Sequence, residues 1–133
     1  MTIKRIDHIA IVVEDLDKAL EVYRDALGMT VTAIKEMPEQ DVKMAFLPTG
    51  DSEIEILEPI HPDSGIAKYL AKRGEGMHHV CLEVDDIAGM LEQLKQKGIQ
   101  LINEQPRLSA DGKKYAFIHP KSANGVLVEL YEL

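Results

Sequence analysis

Two histidines and two glutamates recur in this sequence at matched places. His8 precedes Glu55 by 47 residues, and His79 precedes Glu129 by 50. Imidazole nitrogen and carboxylate oxygen together make a donor set for a divalent transition metal, with positions left open for water or substrate. Taken one at a time, none of the four is persuasive. A glutamate between isoleucines ordinarily lines the solvated face of a half-buried strand, and a histidine in an apolar strand is ordinarily a hydrogen-bonded core residue. Their joint recurrence argues for a shared site, because surface polarity alone gives no reason for His and Glu to return at corresponding positions.

The recurrence belongs to a longer repeat. A shift of 71 positions lays His8 on His79 and pairs Val13 with Val84, Asp15 with Asp86, Leu20 with Leu91 and Glu21 with Glu92. In each copy an alternating apolar strand ends at an acidic pair, and an amphipathic helix follows. Leu16, Ala19, Leu20, Tyr23 and Leu27 recur at three- and four-residue steps in the first helix, and Ile87, Met90, Leu91 and Leu94 in the second. Asp15 and Asp86 suit the N-cap position, and Gly28 and Gly98 suit the left-handed residue that ends a helix.

Strands are expected over 30–35, 42–48 and 53–59 in the first copy and over 100–103, 114–119 and 126–133 in the second, with one short helix over 66–72 between the copies. Each copy therefore reads β-α-β-β-β. The fold class is α+β: two βαβββ modules, residues 1–60 and 76–133 joined by a connector over 61–75, in one domain spanning 1–133. A single helix covers only one face of each module, so the expected assembly is a curved sheet cup with the helices outside. Alternation along a strand sets His8 and His79 facing one cavity, while His78 takes the place of Asp7 and points the other way. On the last strands, Glu55 lies opposite Ile54 and Ile56, and Glu129 opposite Val128 and Leu130.

Bulk properties exclude several function classes. The chain has 133 residues, 45% hydrophobic and 29% charged, which suits a globular domain with a sizeable core. A net charge of -8 and the absence of tryptophan argue against nucleic-acid binding, which needs basic surface and stacking platforms. The apolar runs are too short to cross a bilayer, so no membrane partner is expected. The lone cysteine, Cys81, cannot form an internal disulfide, suits the reducing cytoplasm, and reads as a packing residue.

The stretches "DHIAIVVEDLDKALEVYRDALGM", "EILEP", "IAKYLAKRGEGMHHVCLEVDDI" and "HPKSANGVLVEL" run nearly end to end through the chain. They resemble the glyoxalase/bleomycin-resistance/extradiol-dioxygenase (vicinal oxygen chelate) superfamily and, more narrowly, the methylmalonyl-CoA epimerase family. The resemblance implies a metal site of His8, Glu55, His79 and Glu129, with cobalt the foremost candidate and Mn, Ni, Zn or Fe as alternatives. It implies epimerisation at C2 of a coenzyme A thioester, with Glu55 and Glu129 as the catalytic carboxylates, and a homodimer. Some relatives carry glutamine where Glu55 stands. A further glutamate proposed to act in catalysis in some members would fall near Lys43, so proton transfer shifts toward Glu55 and Glu129.

An acyl-CoA substrate needs basic groups, and the loops of the second copy offer Arg107, Lys113, Lys114 and Lys121, with Ser122 as a hydrogen-bond donor. The competing reading of these residues is a solvated loop. His119, before Pro120, either orients substrate or caps a strand end, and His61 receives no function. Two other activities compete. One is a glyoxalase I-like lyase acting on a glutathione hemithioacetal, disfavoured because "HPKSANG" resembles the epimerases more than the "DPDG" run of glyoxalase relatives. The other is a metal-free, non-catalytic small-molecule binding protein.

Overall fold

The computed structural model describes residues 1–133, which gather into two compact units: residues 9–78, and residues 1–8 with 79–133. The first-copy unit, 9–78, takes the second half of strand β1 (Ile3–Val12), helix α1 (Leu16–Leu20, continued by a π-helical turn over Glu21–Ala26), β2 (Ala33–Met37), β3 (Val42–Thr49), β4 (Ser52–Pro59) and α2 (Gly65–Arg73). Its strands lie in the order β2-β3-β4-β1, antiparallel from β2 to β4. Val13, Leu16, Leu20, Ala45, Leu47 and Ile56 form the core beneath α1, and Ala10, Val42, Met44 and Leu57 pack on the opposite face of the strands. Each fully buried aliphatic side chain contributes about 1.5–3 kcal/mol relative to exposure.

The second-copy unit takes the first half of β1, then β5 (Gly76–Val84) from His79 on, α3 (Ile87–Gln96), β6 (Arg107–Leu108), β7 (Lys114–Ile118), a 3-10 turn over Pro120–Ser122 and β8 (Val128–Glu132). The strand order is β1-β5-β8-β7-β6, with β5 and β8 parallel and β8 and β7 antiparallel. Val84, Ile87, Leu91, Ala116 and Leu130 form the core beneath α3. Each copy thus realises the β-α-β-β-β order expected from the repeat, in an α+β fold.

The helix starts follow the repeat closely. Asp15 accepts a hydrogen bond from the Lys18 N–H and Asp86 one from the Gly89 N–H. The last strand of each copy supplies a second cap. Glu58 Oε1 accepts from the Leu16 N–H at 2.8 Å, and Glu132 Oε1 from the Ile87 N–H at 2.8 Å. These are the orphan donors at a helix N-terminus, where the helix dipole also favours an anion.

Two strands depart from the sequence expectation. The segment expected over 30–35 enters its ladder only at Ala33, because Met29 and Val31 turn into the α1 core instead. The strand expected over 100–103 is reduced to a single bridge between Leu101 and Ile118. Asn103 Oδ1 takes the Phe117 N–H at 2.9 Å, replacing a backbone acceptor and ending the ladder there. Pairing with β7 resumes in β6, past Pro106.

Candidate metal centre and its surroundings

β1 delivers His8, β5 delivers His79 and β8 delivers Glu129, all within the second-copy unit. His79 lies on the face of β5 away from α3. Glu129 is held beside Cys81 of β5 and Phe117 of β7 by the strand register. Because Glu132 reaches the α3 N-terminus, Glu129, three residues earlier, must project from the other face of β8.

The three side chains converge on one point. His8 Nε2 lies 3.1 Å from His79 Nε2 and 3.3 Å from Glu129 Oε1, and His79 Nε2 lies 3.1 Å from the same oxygen. Both histidines are nearly buried, at 7% and 9% exposure. The rings meet edge to face at 5.2 Å, and Phe117 backs the His79 ring at 5.7 Å. Burial pushes the Glu129 carboxyl up, but the polar contacts of its Oε1 with the His79 and His8 rings outweigh it and hold the group down at about 2. Glu129 is therefore a carboxylate at neutral pH.

The donor set fits a divalent cation. Ligand atoms at roughly 2.1 Å from a common ion stand about 3.0 Å apart at right angles and about 3.4 Å apart in a tetrahedron. The three observed separations fall within that span. The proton count agrees. His8 Nδ1 faces Asp7 Oδ2 at 2.8 Å, and a carboxylate can only accept, so the ring donates from Nδ1. In the neutral ring the Nε2 lone pair is then directed at a second carboxylate, an arrangement that a cation relieves.

Several residues enter this region without a signal of their own in the sequence. Asp7 orients His8, and Arg5 binds Asp7 at 2.8 Å and the buried Glu83 at 2.6 Å. Alternation alone assigns Asp7 to the opposite strand face, so only its position next to His8 could have raised it. Phe117 is another, since one aromatic residue in an apolar strand carries no signal. Cys81 is fully buried beside His8, and burial pushes its thiol up to about 12, so it stays protonated. This agrees with a packing role.

The remaining expected residues are placed as follows. Glu55 lies on β4 opposite Phe46 of β3, partly buried, in the first-copy unit. Glu58 binds the α1 N-terminus, so Glu55 projects from the face away from α1, as Glu129 does in its own unit. His78 packs edge to face on Tyr69 of α2 at 4.6 Å. Lys43 lies on β3 between Glu36 and Glu58.

Lys113 pairs with Asp111 at 3.7 Å, and Lys114 with Glu132 at 3.8 Å. His119 Nδ1 accepts from the Lys121 N–H at 3.0 Å, which makes it the cap of the Pro120–Ser122 turn. Ser122 Oγ accepts from the Gln100 N–H at 2.9 Å. Arg107 lies on β6 opposite Tyr115. No helix is long and apolar enough to cross a membrane.

Comparison with known proteins bears on this geometry. Residues 7–117 match the model of the Glyoxalase/Bleomycin resistance protein/Dioxygenase superfamily. The chain is 42% identical over 127 residues to the mitochondrial methylmalonyl-CoA epimerase of Mus musculus, covering 95% of this chain and 71% of that one. It is 39% identical over 133 residues to an ethylmalonyl-CoA/methylmalonyl-CoA epimerase of Cereibacter sphaeroides, covering 98% and 99%. A solved methylmalonyl-CoA epimerase in complex with methylmalonyl-CoA and NH4+ superposes with a TM-score of 0.85 at 37% identity, covering 98% and 95%. The chain belongs to the glyoxalase/bleomycin resistance protein/dioxygenase superfamily, on the branch whose relatives at about 40% identity are named methylmalonyl-CoA epimerases.

Proposed function

We propose that this protein is a metal-dependent epimerase that interconverts the (2S) and (2R) forms of methylmalonyl-CoA. The observation that carries the reading is the convergence of His8, His79 and Glu129 in a chain that aligns over nearly its whole length with enzymes of that name. The reaction requires a proton to leave the carbon α to a thioester and to return on the opposite face. In this reading His8, His79, Glu129 and Glu55 hold a divalent cation, cobalt first among Co, Mn, Ni, Zn and Fe. When bound, that ion would lower the energy of the negative charge developing on the thioester oxygen.

The proton is left to the two glutamates. Each stands three residues before the glutamate that caps a helix N-terminus, and each projects from the sheet face away from that helix. One removes the C2 proton and the other supplies a proton to the opposite face. A carboxylate bound to a cation would be a poor base, so the glutamate that takes the C2 proton would have to act unbound. No glutamate stands at Lys43 to share this work.

Lys113, Lys114, Lys121, Ser122 and His119 remain the candidate contacts for the coenzyme A portion. The active form is a homodimer in this reading and its setting the cytoplasm, which a lone cysteine, unable to form an internal disulfide, suits.

Incubation of the purified protein with methylmalonyl-CoA in heavy water tests the function. Deuterium should enter at C2 with interconversion of the epimers, and a chelator should stop both. Failure of the untreated protein to exchange C2 refutes the proposal. A second reading has one observation in its favour: a probable lactoylglutathione lyase of Synechocystis is 32% identical over 126 residues. Turnover of a glutathione hemithioacetal in place of methylmalonyl-CoA would establish that reading instead.

A further inference from the structure

We propose that Asp7 is a positioning residue that sets which nitrogen of His8 carries its proton, and so readies Nε2 to bind the cation. The inference rests on the metal reading above and extends it to a residue that touches neither ion nor substrate. His8 Nδ1 lies 2.8 Å from Asp7 Oδ2, and Nε2 is the atom that meets His79 and Glu129. A neutral imidazole has one N–H and one lone pair. With Asp7 accepting from Nδ1–H, the lone pair is on Nε2, where a metal ligand needs it. Without Asp7, the Glu129 carboxylate draws the proton to Nε2, and a cation must then displace it.

Asp7 is itself held. Arg5 donates through its terminal nitrogen to Asp7 Oδ1 at 2.8 Å and through Nε to Glu83 Oε1 at 2.6 Å. Glu83 is 7% exposed, and Lys4 approaches its other oxygen at 3.8 Å. This chain of charged groups pins Asp7 from behind and leaves its Oδ2 turned to His8. The neighbouring Cys81 sulfur is only a weak acceptor, so it does not substitute for a carboxylate.

The test compares metal-stripped wild type, Asp7→Asn and Asp7→Ala. Cobalt affinity is read by calorimetry, the imidazole protons of His8 by nitrogen-15 NMR, and folding by thermal unfolding without metal. In wild type the stripped protein should carry the His8 proton on Nδ1. Asp7→Ala should weaken cobalt binding about 10- to 100-fold, the usual effect of losing a partner behind a ligand histidine, and should move the proton to Nε2. Asp7→Asn, which keeps an acceptor oxygen without the charge, should fall between the two. Cobalt binding by Asp7→Ala within twofold of wild type, or a wild-type proton on Nε2, overturns the proposal. Wild type that takes up no cobalt refutes the metal reading instead, and the NMR comparison still decides whether Asp7 sets the tautomer. Should Asp7→Ala fail to fold, the Asp7→Asn shift in both readouts decides alone.

Discussion

The helices of the two copies start alike and end differently. Both begin at an aspartate N-cap, and both receive a glutamate from the last strand of their own copy. From Asp86 to Gly98 is 12 residues, whereas from Asp15 to Gly28 is 13. The extra residue is absorbed in the hydrogen bonds. α3 closes with Lys97 to Gln93, Gly98 to Lys95 and Ile99 to Leu94, the six-to-one and five-to-two pattern of a Schellman end. α1 closes with Leu27 to Val22, Gly28 to Arg24 and Met29 to Tyr23, each bond one residue wider. An added residue would rotate everything after it by about 100°; a π turn takes up that rotation locally. The repeat therefore tolerates a change in length where the helix is exposed and keeps its start unchanged.

The last strands teach the complementary lesson. From Glu55 to Glu58 and from Glu129 to Glu132 the offset is the same, so in each copy one glutamate caps the helix and the other leaves from the opposite face. Glu129 is met there by two imidazoles in its own unit. If the two copies are equivalent in chemistry, neither glutamate is dispensable. Glu55→Ala and Glu129→Ala should each lower epimerisation by about 100-fold or more, the range for losing a general acid or base. Initial rates from each pure epimer check this, and a variant at wild-type rate breaks the equivalence.

The helix comparison gives the next largest effects. Deleting Gln93 from α3, which has no residue to spare, should rotate Leu94 and the Schellman end out of place and cost about 2–5 kcal/mol, as for a lost buried leucine. Deleting Asp25 from the π turn of α1 should change stability by less than about 1 kcal/mol. Urea unfolding of the two deletions sharpens the comparison, and equal costs would break it. Smaller and matched effects are expected at the caps. Glu58→Ala and Glu132→Ala should each cost about 1–2 kcal/mol through a lost charged hydrogen bond at a helix N-terminus, and a difference greater than that between them in the same unfolding assay would show unequal packing.

Much of this arrangement is legible in the order of residues. Asp15, Asp86, Gly28 and Gly98 announce the helix ends because capping is local chemistry, written within a few residues. The preference for His79 over His78 follows from alternation and the repeat, and His79 indeed meets His8 and Glu129 while His78 packs on Tyr69. The early end of the 100–103 segment is not legible, because it depends on Asn103 answering an N–H of Phe117 across the sheet. The π turn hides in a one-residue difference of spacing that only the hydrogen bonds along the helix reveal.

The sequence by itself determined a doubled β-α-β-β-β chain and which His and Glu positions correspond, since periodicity, capping and repetition are properties of the chain order. Only the tertiary structure decided that Asp7 binds His8, that Arg5 and Glu83 stand behind it, and that Glu58 and Glu132 cap helices far from them in the chain. These depend on where side-chain atoms arrive after the strands twist and pair, and spacing along the chain carries no record of those distances.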